Sequence, residues 1–510
     1  MDRFPQEIIS AILSYFDSKT DRSEITKLAT ISRQWQFAVE RINLHRIEVK
    51  STELSRFANL FRPSQRHRQV LVKGVYFNVV LPSYSDEACR EYEAENDKET
   101  NSQVFSEAIH GLFRILHGIG GDGIYLNLDA YSRMDSLWRP DSERKRVPYR
   151  YPPDLWGDRY RASFLQLRDP GQLPVLSNIA TFSCQHQSRH IAPASLMAMA
   201  GKMSLEQGRF EFWDAYFLRM KTRRKNRSNL AQAVSACTQS MDNIFIEFPD
   251  PFRDSDEESD DGDEDEEEEE DSGPPNFLPP GSTVDLLNPA LHKYIQQANV
   301  RKMVLKGHLT TPELFWPSPD TTTSIPLPFW QNLREMHVFA RMSAPDGGRY
   351  LIVDCGTSSD DAEPSDDNDE NSDDDEDNNN DDDDEDSDDS EESDDYYGGG
   401  GCECDSSDEE LEYIPNRERM NPLLIAMARA AHHAPSLQKM RLGVYEQGLI
   451  KRYFEVWYIA KGVPSRTGQD PADKARVMWY VGDWRPDEEV ERHWRNAISS
   501  DGVMLYNIDD

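Results

Sequence analysis

The stretch PLLIAMARAAHHAPSLQKMRLGV, residues 422–444, joins one helix to one strand through a short turn. Its first half is rich in alanine, leucine and methionine, which favour a helix. Ala434-Pro435-Ser436 then interrupts the helix, and Met440, Leu442 and Val444 alternate with other residues as in a half-buried strand. The stretch therefore predicts one helix–strand unit of an α/β body.

Units of the same kind recur along the chain. Gln69–Leu81 is rich in β-branched and aromatic residues and predicts a strand. Val104–Ile119 has apolar residues at helical spacing and predicts an amphipathic helix, which glycines separate from a second strand at Gly123–Ser132. Near the C-terminus, two aromatic strands precede a closing helix, EEVERHWRNAIS at 488–499. Strand and helix therefore alternate over most of the chain.

Three of these units share one spacing, in which an apolar residue precedes an internal methionine by three positions and another follows it by two. The segments are Asn299–Leu305, Asn332–Val338 and Ser436–Leu442. This spacing resembles the strand-forming part of degenerate leucine-rich repeats, whose units stack into a curved solenoid. The alternative is a mixed α/β domain of successive strand–helix units. The sequence leaves both architectures open.

The N-terminal fifty residues follow a different pattern. In RFPQEIISAILSYF, residues 3–16, the apolar side chains after Pro5 recur at helical spacing and form a broad stripe. A second helix begins near Ser23, and a third passes into a strand-like end at Leu44–Val49. The stretch lacks the continuous apolar core of a secretory signal, so we expect it to belong to the folded protein. Three short helices bury little surface alone, which favours a module that docks on a partner.

These residues resemble an F-box, of the type found in filamentous fungi. The family pattern is Leu-Pro-x-Glu-Ile, then Ile-Leu, then Val-Ser-Arg-x-Trp, and it is matched here by Phe4–Ile8, Ile12-Leu13 and Ile31–Trp35. The resemblance implies a three-helix fold that binds a Skp-type adaptor and, through it, a cullin. Carried over by position, the adaptor-binding residues are Phe4, Pro5, Ile8, Leu13, Ile31 and Trp35. The alternative is that all six form the core of the module.

The charge of −38 comes from three acidic runs, Asp254–Asp271, Asp360–Asp395 and Glu403–Glu412. Together they hold 45 of the 94 acidic residues and no Lys or Arg, so the rest of the chain is about +7. Such runs lack the apolar residues that would offset the entropy of ordering, and we expect disordered inserts. The domain prediction is therefore an F-box at 1–50, an α/β body at 51–253, 284–355 and 415–510, and acidic inserts at 254–283 and 356–414.

Lys221–Arg227, KTRRKNR, is the densest basic run. Most such runs are solvated loops, and among functional roles we favour nuclear import over nucleic-acid binding, because no aromatic residues interleave the basic ones. No stretch is apolar enough to span a membrane. The six cysteines show no disulfide framework, which is typical of reduced thiols. We therefore expect a cytoplasmic or nuclear protein without membrane or nucleic-acid partners.

No motif predicts catalysis, a cofactor or a metal. GIGGDG at 118–123 precedes a strand, whereas a phosphate-binding loop follows one, so it predicts a tight turn. His432-His433 lack zinc-protease spacing, and Cys402-Glu403-Cys404 has no second ligand pair. The sequence therefore predicts a non-catalytic substrate receptor of an SCF-type ubiquitin ligase, which binds an unknown target protein. The alternative is a histone-binding or basic-protein-binding chaperone that acts through its acidic runs.

Overall fold

The computed structural model describes residues 5–16, 22–85, 88, 91–135, 159–160, 163–185, 189–213, 220–249, 275–317, 329–353, 413–445, 452–464 and 473–506. The chain forms two compact units, residues 1–351 with 415–510, and residues 352–414. The predicted acidic runs, the Cys402-Glu403-Cys404 motif and Phe4 lie outside the described residues.

The described helices begin with three short ones, as predicted for the N-terminus, and continue between the strands. They are Gln6–Ser14 (α1), Arg22–Leu28 (α2), Arg33–His45 (α3), Leu54–Leu60 (α4), Arg66–Gln69 (α5), Glu95–His117 (α6), Pro193–Ala200 (α7), Met220–Ala236 (α8), Leu287–Gln297 (α9), Arg417–His433 (α10) and Glu488–Ile498 (α11).

The described strands alternate with these helices along the chain. They are Arg46–Lys50 (β1), Gly74–Leu81 (β2), Ile124–Ser132 (β3), Ile179–Cys184 (β4), Gln207–Glu211 (β5), Asn243–Glu247 (β6), Lys302–His308 (β7), Glu335–Arg341 (β8), Leu351–Val353 (β9), Tyr413–Pro415 (β10), Lys439–Tyr445 (β11), Arg452–Ile459 (β12), Arg476–Tyr480 (β13) and Val503–Tyr506 (β14).

Twelve of these strands form one sheet in chain order, from β1 through β8 to β11, β12, β13 and β14. The pairs from β1 to β11 are all parallel, β11–β12 and β12–β13 are antiparallel, and β13–β14 is parallel. Strands β9 and β10 pair with each other separately. The chain is therefore a mixed α/β protein with a large, mostly parallel sheet.

The order of the strands explains why one sheet face is covered. Parallel neighbours need crossover connections, and right-handed crossovers between strands that advance in one direction all lie on the same face. Burial agrees with this, because Met303 and Leu305 of β7 are fully buried, whereas Val304 between them is only partly buried. The main core thus lies between the sheet and its helices, and we call the other side the open face.

The structure confirms most of the predicted helix–strand units. The predicted unit at 422–444 corresponds to α10 and β11, and the predicted strand at Gly123–Ser132 corresponds to β3. Two interpretations need correction. Lys221–Arg227 lies on α8 and not in a loop, and α11 does not close the fold, because β14 follows it. Phe277 and Leu278, inside the predicted insert 254–283, are buried in the body.

Candidate functional site

The N-terminal helices form a small module with its own apolar core. Six buried residues make up this core, with four partly buried residues packed around them. Ser32 caps α3 by accepting a hydrogen bond from the backbone N–H of Trp35 at 3.5 Å. The buried core residues are Ile9, Leu13, Ile25, Trp35, Ala38 and Val39.

Helix α1 carries two apolar stripes, displaced from each other by one residue. Ile9 and Leu13 belong to the core of the module, and the partly buried Phe16 packs against it. Ile8, Ile12 and Tyr15 have the same spacing but remain exposed, Tyr15 to 90%. Residues at i, i+4 and i+7 share one face of a helix. The broad apolar stripe of the sequence is therefore half core and half uncovered surface.

The six residues predicted to bind the adaptor fall into two groups, apart from Phe4, which is not described. Leu13 and Trp35 are buried in the core of the module, with 1% and 8% of their surface exposed. Pro5, Ile8 and Ile31 are exposed. Pro5, Ile8 and Ile31 are therefore available to a partner, whereas Leu13 and Trp35 stabilise the core of the module.

Among the described residues of the module, three exposed large apolar residues were not among those predicted: Ile12, Tyr15 and Phe37. Ile12 continues the line of Ile8 on α1, Tyr15 continues it at the residue that caps the end of α1, and Phe37 lies on α3. The spacing of Ile8, Ile12 and Tyr15 was readable in the sequence. We call Ile8, Ile12, Tyr15, Ile31 and Phe37 the apolar surface of the module.

The module is joined firmly to the sheet. Helix α3 ends at His45, and β1 begins at the next residue. Glu40 on α3 accepts a hydrogen bond from the Arg68 guanidinium of α5 at 2.7 Å. Burial opposes ionisation of Glu40, but hydrogen bonds from Arg68 and Gln36 hold its pKa below the usual value. The apolar surface thus has a defined position relative to the sheet.

The open face carries a continuous row of side chains across neighbouring strands. One row contains aromatic, cationic and polar side chains in register, and its members from β2 to β12 are Tyr76, Asn127, Ser183, Arg209, Phe245, Val304, His337, Arg441 and Trp457. Ser183 is buried, with 2% of its surface exposed, and the other members are at least partly accessible, so the row offers stacking and charge to a bound chain.

Arg441 is the centre of an aromatic cluster on this face. Its guanidinium carbon lies 4.5 Å from the ring centres of both Phe339 and Trp457. It also donates to the Tyr445 hydroxyl at 2.8 Å and pairs with the buried carboxylate of Glu455. Guanidinium groups stack well on aromatic rings. The cluster is therefore a rigid platform that combines aromatic surface with a paired cation.

The glycine-rich turn is occupied by the protein's own side chains. It connects α6 to β3, as predicted, and lines a cavity of about 580 Å³. The backbone N–H of Gly120 donates to Gln69 Oε1 at 3.1 Å, and Lys73 Nζ donates to the Asp122 carbonyl at 3.2 Å. A loop that cradles phosphate needs its N–H groups free, so this turn does not have that character.

Two polar clusters are buried at the carboxyl-terminal ends of strands. Asp135, beyond β3, accepts hydrogen bonds from the hydroxyls of Tyr84 at 2.7 Å and Tyr160 at 3.0 Å. Burial raises the pKa of Asp135, although these bonds act in the opposite direction. His308, at the end of β7, lies 2.8 Å from Asn288 Oδ1. Both clusters are enclosed, and their hydrogen bonds connect elements of the body.

Nothing in the described part of the chain assembles a metal site or a membrane span. His432 lies against the Asn496 carbonyl at 2.9 Å, and His433 packs on the Trp316 ring. No three metal-binding side chains come together among the described residues. None of the described helices combines the length and apolarity that crossing a bilayer requires. Comparison with protein-family models, curated proteins and solved structures returned no match for this chain.

Proposed function

We propose that this protein is the substrate-receptor subunit of an SCF-type ubiquitin ligase. The three-helix module is an F-box that binds a Skp-type adaptor, and the α/β body binds the target protein. The protein performs no chemistry itself in this proposal. It holds the target and the ubiquitin-carrying enzyme at a fixed separation. This raises the effective concentration of target lysines near that enzyme.

The observation that carries the proposal is the uncovered apolar surface of the module. Ile8 and Phe37 expose 46% and 45% of their surface, although each lies one or two residues from a fully buried core position. Ile8 and Ile12 are one turn apart on the same face of α1, and apolar side chains exposed side by side on a small unit mark an interaction site. The resemblance of residues 4–50 to an F-box implies the class of partner, which is a Skp-type adaptor and, through it, a cullin.

The junction between module and body supports the same role. A substrate receptor has to transmit a defined geometry from adaptor to target. The uninterrupted passage from α3 to β1 and the Glu40–Arg68 ion pair at 2.7 Å supply a rigid connection. A flexible linker would instead average the position of the target over many orientations.

For the body we propose a solenoid similar to leucine-rich repeats. The support is the chain order of nine parallel strands with their crossovers on one face, since each unit then packs mainly against its neighbours. The open face is the proposed target site. Its row of aromatic and cationic side chains, centred on Arg441, suits a polar protein surface with carboxylates at its rim.

Binding to a purified Skp-type adaptor tests the proposal. Ile8→Asp with Ile12→Asp places two charges on the apolar surface, and we expect binding to fall at least about tenfold, because buried unpaired charge is costly at an interface. Ser10→Asp with Ser14→Asp is the matched control, since both serines are exposed on another face of α1. Equal loss in both variants, or no binding by the wild type, rejects the proposal.

A second candidate function is binding of histones or other basic proteins. It is favoured by one observation, the concentration of 45 acidic residues in three runs. Deleting Asp254–Asp271 and Asp360–Asp395 would then abolish binding of a core histone, and about 0.5 M salt would do the same by screening. The Ile8→Asp/Ile12→Asp variant separates the two functions, because it would retain histone binding.

A further inference from the structure

The basic run Lys221–Arg227 divides between two faces of α8. The inward arginines hold the chain that follows the first acidic run. The Arg223 guanidinium lies 4.4 Å from the ring centre of Phe277, and Arg227 Nε pairs with Asp285 Oδ1 at 2.7 Å. These two arginines are therefore structural.

The outward cations are Lys221, Arg224 and Lys225. Their spacing of i, i+3 and i+4 places them on one helix face, and we call them the basic stripe. Lys221 and Lys225 are exposed, and Arg224 is half-buried. Among the described residues, none of the three forms an ion pair with a carboxylate. The charge of Lys225 does reach Glu95, whose pKa is lowered mainly by Lys98 and to a smaller extent by Lys225.

The chain that follows the first acidic run is fixed beside this stripe. Arg224 Nε donates to the backbone carbonyl of Asn276 at 2.8 Å. The next residue, Phe277, is 3% exposed, and its N–H donates to the Pro345 carbonyl at 2.7 Å. Asn276 is therefore held beside α8 by its hydrogen bond from Arg224 and by the burial of the next residue, Phe277.

The acidic segment Asp254–Asp271 is tethered close to the stripe by this contact. Asp271 precedes Asn276 by five residues, which extended chain spans in at most roughly 18 Å. The segment carries 15 acidic residues and no basic one. A tether of this length gives an effective concentration in the millimolar range. Chain connectivity therefore keeps the carboxyl-terminal end of the segment within reach of the three cations.

We infer that the basic stripe of α8 is a binding surface for polyacidic peptide, and that its occupant in this protein is the chain's own segment Asp254–Asp271. The basic run is then engaged on both faces, by Phe277 and Asp285 within the body and by the acidic segment outside. A basic partner protein competes with the stripe for the same carboxylates. The inference does not depend on the proposed adaptor binding.

Carbodiimide cross-linking of the full chain tests the contact directly, because the reagent joins a lysine to a carboxylate that touches it. We expect Lys221 and Lys225 to be the main lysines linked to Asp254–Asp271 at low salt, with at least about fivefold less product in 0.5 M salt, where screening is short-ranged. Links spread evenly over Lys302, Lys461 and other exposed lysines would overturn the inference.

A binding experiment in trans gives an independent measure. A variant in which a Gly/Ser linker of equal length replaces Asp254–Asp271 should bind a synthetic peptide of that sequence at least about tenfold more tightly than the full chain, whose stripe is already occupied. Lys221→Glu with Lys225→Glu in this variant should abolish the binding. Arg224 is kept, because it holds Asn276.

The matched control reverses two exposed cations elsewhere, Lys461→Glu with Arg492→Glu, and should leave peptide affinity within about twofold. Circular dichroism and thermal melting check that each variant is folded, and Lys221→Gln with Lys225→Gln replaces the reversal if it is not. Equal affinity of the full chain and the linker variant, or equal loss in stripe and control variants, would overturn the inference.

Discussion

Ile8 and Ile9 are neighbours in the chain, yet Ile9 is completely buried in the core of the three-helix module and Ile8 leaves 46% of its surface exposed. The helix turns by about 100° between them, so the two identical side chains face different surroundings. The same division separates Leu13 from Ile12 one turn later. One stripe of α1 thus stabilises the module, and the other is free to bind.

The first prediction separates these two roles by stability. Leu13→Ala should lower the free energy of unfolding of the module by about 2–5 kcal/mol, because it leaves a cavity in a small core. Ile12→Ala should change it by about 0.5 kcal/mol or less, as for most surface substitutions. Denaturant titration of both variants, followed by circular dichroism, measures the difference. Equal destabilisation would show that Ile12 is also a core residue.

A second prediction concerns the buried ion pair between Glu93 and Arg189. Their side chains are fully buried, and Arg189 Nη2 lies 2.5 Å from Glu93 Oε2. Glu93→Gln removes the counter-ion of a buried guanidinium, which should cost about 3–5 kcal/mol in the free energy of unfolding. Urea titration of the purified protein measures this loss.

The double variant Glu93→Gln/Arg189→Met is the control for this pair. It removes both charges, so neither side chain is left as an unpaired buried ion. The double variant should therefore be more stable than Glu93→Gln alone. If it is less stable, the Arg189 cation is held mainly by other contacts, such as the Tyr160 ring 3.7 Å from its guanidinium carbon.

A third prediction follows from the buried His308. Burial and the nearby cations Arg227 and Arg341 lower the pKa of His308 to about 3, with Asp285 acting in the opposite direction. The Asn288 amide nitrogen donates to Asp285 and to the Leu309 carbonyl, so its oxygen accepts from His308 Nε2–H. The ring is therefore neutral in the folded protein.

The sign of the pH effect follows directly. Between about pH 6.5 and pH 3 the unfolded state binds a proton at His308 that the folded state does not. Each unit by which the pH is lowered in this range therefore decreases the folding stability by about 1.4 kcal/mol. His308→Gln should remove this contribution, and denaturant titrations at pH 7 and pH 4.5 should differ by about 3 kcal/mol less than in wild type.

A fourth prediction tests the division of the basic run on α8. Arg227→Met leaves the Asp285 carboxylate buried without its counter-ion and should cost about 3 kcal/mol of unfolding free energy. Lys225→Met, two positions earlier on the outward face, should change it by about 0.5 kcal/mol or less. Thermal melting of both variants measures the contrast. A similar loss in both would contradict the assignment of the two faces.

The helix–strand units could be predicted from the sequence because their signals are local. The alanine-rich run before Pro435 and the alternation around Met440 predict α10 and β11 without reference to the rest of the chain. The same holds for the glycine-rich turn between α6 and β3. Strand β14 escaped prediction because four residues, Val503–Tyr506, give too short a pattern.

The faces of the helices could not be predicted, because they depend on distant residues. KTRRKNR gives no sign that Arg223 stacks on Phe277 or that Arg227 pairs with Asp285, about 55 residues further along the chain. The broad apolar stripe of α1 likewise does not show which half meets α2 and α3. Which side chains of α1 and α8 are buried and which stay exposed depends on the elements that pack against these helices.

The sequence alone determined the α/β character, the three N-terminal helices, the position of the acidic runs and the resemblance to an F-box, since these depend on composition and short-range spacing. Only the tertiary structure decided that the strands form one sheet in chain order, that Ile8, Ile12 and Tyr15 stay exposed, and that the basic run faces two ways. Strand pairing and burial are long-range properties, fixed by which surfaces exclude water together, and local patterns do not specify them.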